Sequence, residues 1–140
     1  MLILFSLSGA AASAAEVAPG RWKIQDSQVA PWATSTEEAR ASDEMMLDGR
    51  SIDFRSNQIS APEPLNCERP AYRIANVPPD YLFQGSLRQP AADARSLGFR
   101  TAKIPTLKTG CEGLIDFHFI DDGTAMFALN NRLYTIVRDQ

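Results

Sequence analysis

A chain of 140 residues, 44% of them apolar, is long enough to bury one real core and short for two. Its formal charge of −3, with 14 Lys and Arg scattered among 17 Asp and Glu, leaves no basic patch for nucleic acid. Charge alone identifies no partner.

The first fifteen residues read as an export signal. Leu2 to Leu7 is a short apolar run, small residues follow it, and Ala12-Ser13-Ala14 fits cleavage after Ala14. The run falls well short of the roughly 20 residues a membrane span needs. No Lys or Arg precedes it, so a buried N-terminal strand is the competing reading. The expected layout is a signal peptide at 1–14 and a single β-rich domain at 15–140. That places the protein in the periplasm or outside the cell, with no membrane span after signal removal.

Gly20 to Asp26 alternates, with Trp22 and Ile24 on one face, which marks a half-buried strand ended by Pro31. Thr34 with Glu37 and Ser35 with Glu38 form overlapping capping boxes, predicting a helix to about Leu47 with Gly49 beyond it. Residues 51–60 predict a hairpin burying Ile52, Phe54 and Ile59. Pro62, Pro64 and Pro70 surround Cys67 and predict an irregular loop. Ala71 to Ala75 resumes the sheet. Pro78 to Gly85 suggests one or two helical turns, and Pro90 to Leu97, closed by Gly98, another short helix. Phe99 to Leu107 is a weaker strand, and Pro105 within it argues for an edge or a bulge.

Residues 114–138 carry the densest apolar pattern and predict three antiparallel strands. Asn130-Asn131 suits a type I′ turn that sets Leu129 opposite Arg132. A three-residue loop, Asp121-Asp122-Gly123 with Gly123 left-handed, pairs Phe119 with Ala125, Phe117 with Phe127 and Ile115 with Leu129. A two-residue loop would split that set between faces, so burial selects the longer one. One dry face then holds Ile115, Phe117, Phe119, Ala125, Phe127, Leu129, Tyr134 and Ile136. Asp116, His118, Thr124, Met126 and Thr135 lie on the other, with Leu133 and Val137 as its apolar exceptions.

Cys67 and Cys111 are the two cysteines of the chain. In an oxidising compartment a bridge between them contributes about 4 kcal/mol in the chain-entropy model; two separate buried thiols are the alternative. No metal-ligand spacing surrounds either cysteine. His118, the sole histidine, has Asp116 two residues away on the same strand face, so a carboxylate-oriented base is conceivable on spacing. No motif marks a nucleophile, and a partly exposed, hydrogen-bonded histidine satisfies the same pattern. Asp121-Asp122 lacks the alternating oxygen ligands of a calcium loop. Trp22, Trp32, Tyr72, Tyr81 and Phe83 serve either as core or as a pocket at the open end of a curled sheet. The candidate pocket is Trp32, Tyr81, Phe83, His118 and Asp116. No catalytic residue, metal ligand or cofactor site is assigned.

Gly20-x-Trp22-x-Ile24, Ala30-Pro31-Trp32, Pro62-x-Pro64-Leu65-x-Cys67, Pro78-Pro79-x-x-Leu82-Phe83-Gln84-Gly85, Thr109-Gly110-Cys111 and Ile115 to Asp122 together resemble a group of small exported proteins of Gram-negative bacteria. The resemblance spans nearly all of the chain after the signal. It implies periplasmic residence and a single domain, and no activity. Gly49-Arg50-x-Ile52-x-Phe54, the cysteine-bearing prolyl loop and Tyr72 are more loosely similar to META and lipocalin-like small β-barrels. That similarity implies binding rather than turnover, since periplasmic hydrolase inhibitors use such barrels.

The expected fold is α+β: mainly an antiparallel curled sheet or half-barrel of six to eight strands, with two or three short helices. The expected function is an exported, non-enzymatic envelope protein that binds a protein or small ligand. A periplasmic inhibitor of a hydrolase, with residues 61–70 as its protruding loop, is the first alternative. A hydrolase using His118 is the second.

Overall fold

The computed structural model describes residues 20–41, 47–113 and 115–139. The expected signal peptide, 1–14, and the second half of the helix predicted over 34–47 lie outside those residues. Gly20–Val29 forms β1, and Thr36–Ala41 is the described part of that helix, α1. Ser51–Phe54, Gln58–Ser60 and Cys67–Glu68 are β2, β3 and β4, followed by β5 at Arg73–Val77. A 3-10 turn starts at Pro79, and α2 covers Pro90–Leu97, closed by Gly98 at φ 108°. Ile104–Lys108, Phe117–Asp121, Thr124–Leu129 and Arg132–Arg138 complete the set as β6 to β9. All nine strands join one antiparallel sheet in the order β4-β3-β2-β1-β9-β8-β7-β6-β5, curled into a half-barrel.

Eight of these strands overlap segments expected to be strands. The ninth, β4, corrects the expected count of six to eight. It is two residues long and lies in the loop that three prolines marked as irregular, pairing Ile59 with Cys67 and Gln58 with Glu68. So short a ladder leaves no periodic trace.

The last three strands keep the expected register: Phe119 faces Ala125, Phe127 faces Tyr134, and Ala125 faces Ile136. The Asn130-Asn131 turn has φ of 52° and 63°, as a type I′ turn requires. At the other end the mechanism differs from the expectation. The register shifts between Phe119 and Asp121, so the extra residue bulges at Ile120 rather than at a left-handed Gly123. Asp121 Oδ1 accepts the Gly123 amide at 2.9 Å and tightens the remaining two-residue tip. The same faces result because either bulge inserts one residue.

Pro105 sits in β6, an interior strand rather than an edge. β7 pairs only with Thr106 and Leu107, so Pro105 stands where that ladder has already stopped and its missing amide costs nothing there.

Two apolar layers sandwich the sheet. Inside the curl, Trp22, Ile24, Ile52, Phe54, Leu107, Phe117, Phe127, Tyr134 and Ile136 close on one another. Phe127 stacks on Tyr134 at 5.1 Å, and Phe117 stands edge-on to Phe54 at 5.2 Å. Outside it, Ala30, Leu82, Phe83, Leu87, Ala94, Phe99 and Ile104 cover Met126 and Leu133. The face expected to be mainly polar is therefore a second core under the 79–99 segment, and of its two apolar exceptions Leu133 belongs to that core whereas Val137 does not. Leu133 is fully buried in that layer.

The outermost strands, β4 and β5, follow each other in the chain, and side chains close the seam between the two halves. Cys67 and Cys111 form a disulfide with Cα atoms 6.1 Å apart, joining β4 to the segment that follows β6. The Tyr72 hydroxyl donates to the Arg55 carbonyl at 2.7 Å, tying the entry of β5 to the exit of β2. Burial, then the nearby Asp53 carboxylate, push that hydroxyl up to about 12, so it remains a donor at neutral pH. Tyr72→Phe is expected to lower stability by about 1 kcal/mol, read as a shift of the urea midpoint at unchanged slope. An unshifted midpoint would mean that the seam does not depend on this bond.

Candidate functional site

His118 reaches its place through register. Opposite it stand Thr106 on β6 and Met126 on β8, all three under the cover of the 79–99 segment. It is 1% exposed, not partly exposed as expected from the strand pattern. Both ring nitrogens are occupied. The Phe83 amide donates to Nε2 at 3.0 Å, and Nδ1 lies 2.8 Å from Thr106 Oγ1. Since Nε2 accepts, a neutral ring carries its proton on Nδ1 and donates to Thr106, whose hydroxyl in turn faces the Ile104 carbonyl at 3.2 Å. Burial first, and the Lys108 charge second, push the imidazole down to about 3. His118 is neutral at any physiological pH.

The amide that His118 accepts belongs to a strained segment. After the 3-10 turn, Leu82 is extended and Phe83 and Gln84 are left-handed, with φ of 52° and 59°. This replaces the second helical turn expected before Gly85. A left-handed conformation costs a non-glycine residue roughly 1–2 kcal/mol. The bond to Nε2 holds Phe83 there, together with its ring packed edge-on to His118 at 5.0 Å and to Phe99 at 6.3 Å.

Beside this pillar opens a cavity of about 340 Å³. Trp32, Phe83, Ile115, Ala128 and Leu129 give it apolar walls, and Gln84, Ser86, Asn130 and Asn131 give it uncharged polar ones. His118 and Asp116 complete the lining. Trp32 is oriented at both ends: its ring lies 5.9 Å from that of Phe83, and its Nε1 donates to Asn131 Oδ1 at 3.0 Å. Asp116 does not orient His118. It accepts from Lys108 Nζ at 3.0 Å in a part-buried ion pair.

Of the five residues proposed for a pocket, the structure gathers Trp32, Phe83, His118 and Asp116 around this cavity. Tyr81 is 66% exposed and does not line it. Its place beside Pro78 and Pro79 drew attention to it, yet the chain reverses direction at Phe83 and leaves Tyr81 outside. Gln84, Ser86, Asn130 and Asn131 went unrecognised as lining. The two asparagines were explained as turn formers, and nothing in a turn motif says what lies beside it.

A hydroxyl does lie within reach of His118, but Thr106 is fully buried and does not line the cavity. Among the described residues, no cluster of three or more His, Cys, Asp or Glu side chains is placed to hold a metal ion. Among them also, no helix is long and apolar enough to cross a membrane. The 61–70 loop turns Leu65 into the core and leaves Glu63 and Pro64 exposed at its tip. No family model matches the chain, and no curated protein or solved structure matches it either.

Proposed function

We propose that this protein is an exported, non-enzymatic binding module of the bacterial envelope that takes a small ligand in the Trp32 cavity. The observation that carries this reading is the commitment of His118. The one histidine of the chain spends both nitrogens on the cavity wall, as a neutral prop for Phe83. A concave site of about 340 Å³ with aromatic and aliphatic walls and several placed polar groups falls in the size range of ligand pockets. The disulfide supports a location in an oxidising compartment, and with the small-x-small site after the apolar leader it favours the periplasm.

The experiment is native mass spectrometry of the purified protein mixed with the low-molecular-weight fraction of a periplasmic extract. An adduct that disappears in Trp32→Ala, with melting transitions showing both proteins folded, is the expected result. No adduct, or one that survives in Trp32→Ala, overturns the reading.

A further inference from the structure

The Trp32 cavity does not end at its own walls. A second cavity of about 430 Å³ shares Gln84, Ile115 and Asp116 with it and continues past Lys108 to Arg73 and Cys111. The two form one groove with unlike ends.

At the Trp32 end there is an aromatic face and a set of carboxamides, and the ionisable groups there carry little net charge. His118 is neutral and Asp116 is paired with Lys108. A carboxamide both donates and accepts, as a sugar hydroxyl does, whereas a ring face suits the flat C–H face of a pyranose. Strand addition, one common mode of peptide capture, needs an open sheet edge, and the strands at this end offer none; the edge strand β5 lies at the other. β7, β8 and β9 each have a strand on both sides.

At the other end Arg73 and Lys108 are direct cross-strand partners. Like charges so placed repel. One carboxylate, Asp116, faces them and sits 3.0 Å from Lys108, which leaves this end with an excess of positive charge.

Resting on the binding reading above, we infer that the groove takes a short acidic oligosaccharide. One neutral ring lies against Trp32, and the carboxylate of a neighbouring unit lies toward Arg73 and Lys108.

The test is calorimetric titration of the intact protein with two probes, a glucuronate–N-acetylglucosamine tetrasaccharide and the uncharged chitotetraose. The acidic probe is expected to bind several-fold more tightly at low salt. Arg73→Gln, an exposed position that a folded protein tolerates, should erase that preference, and so should 0.5 M salt. Trp32→Ala should weaken the acidic probe at least about tenfold. Equal affinity for the two probes, or a preference that survives in Arg73→Gln, overturns the assignment. If an extract adduct depends on Trp32 while neither tetrasaccharide binds, the saccharide inference falls and the binding reading stands. Binding of an acidic tetrapeptide in preference to both sugars also overturns it.

Discussion

Replacing both Cys67 and Cys111 by serine is expected to cost about 4 kcal/mol and to lower the melting temperature by roughly 15 °C. The bridge spans a sequence separation of 44, and closing a loop of that length in the unfolded chain accounts for the free energy. Its place in the sheet makes the loss uneven. β4 rests on β3 through a two-residue ladder, and Leu65 plugs the core from the same loop. Without the bridge, residues 61–70 should exchange their amides first, while β7, β8 and β9 keep their protection. Thermal melts and hydrogen exchange on the double variant check both parts. A fall of less than 1 kcal/mol would show that the seam is held by packing rather than by the crosslink.

Acidification should destabilise the protein between pH 6.5 and about 3, and His118 is the reason. An unfolded chain binds a proton at this residue near pH 6.5, whereas the folded chain resists until about 3. Below 6.5 the unfolded state therefore holds more protons, and stability falls as pH falls. At roughly 1.4 kcal/mol per unit, the loss by pH 4.5 is about 2–3 kcal/mol. The structural cost is specific: a protonated Nε2 points a hydrogen at the Phe83 amide, and both are donors. His118→Gln can accept from Phe83 through its oxygen and has nothing to titrate. Denaturant melts at pH 7, 6 and 5 should slope for the natural protein and be nearly level for this variant. Equal slopes would remove His118 from the account. His118→Ala should cost about 3 kcal/mol at pH 7, because a cavity and an unaccepted buried amide are left behind.

The sequence made the strands legible because one face of each is apolar at every second residue. Ile52, Phe54 and Ile59 are buried as expected, and so are Trp22 and Ile24. The second layer was harder to see. Its contribution from the strands, Met126, Leu133 and His118, is sparse and partly polar. Its cover comes from 79–99, where the left-handed Phe83 and Gln84 break any helical period. Alternation predicts a polar outer face only where water lies outside, and here a helix does. The site suffered for the same reason. Trp32, Phe83, Asp116 and His118, singled out by residue type, line one cavity. Thr106, which meets Nδ1 of His118, required a register between distant strands, and Asn131 required knowing that the final turn folds back beside Trp32.

The strand order also bears on how the chain reaches this form. From β1 to β4, and again from β5 to β9, every strand pairs with the one next to it in sequence. Each of those runs can assemble from neighbours, with short loops to close. The ladder from β1 to β9 joins residues more than a hundred positions apart, as Trp22 with Arg138, and the two zigzags meet along it. Long-range closure of that kind is slow, so a substitution that weakens the β1–β9 ladder is expected to slow folding more than one in a local hairpin.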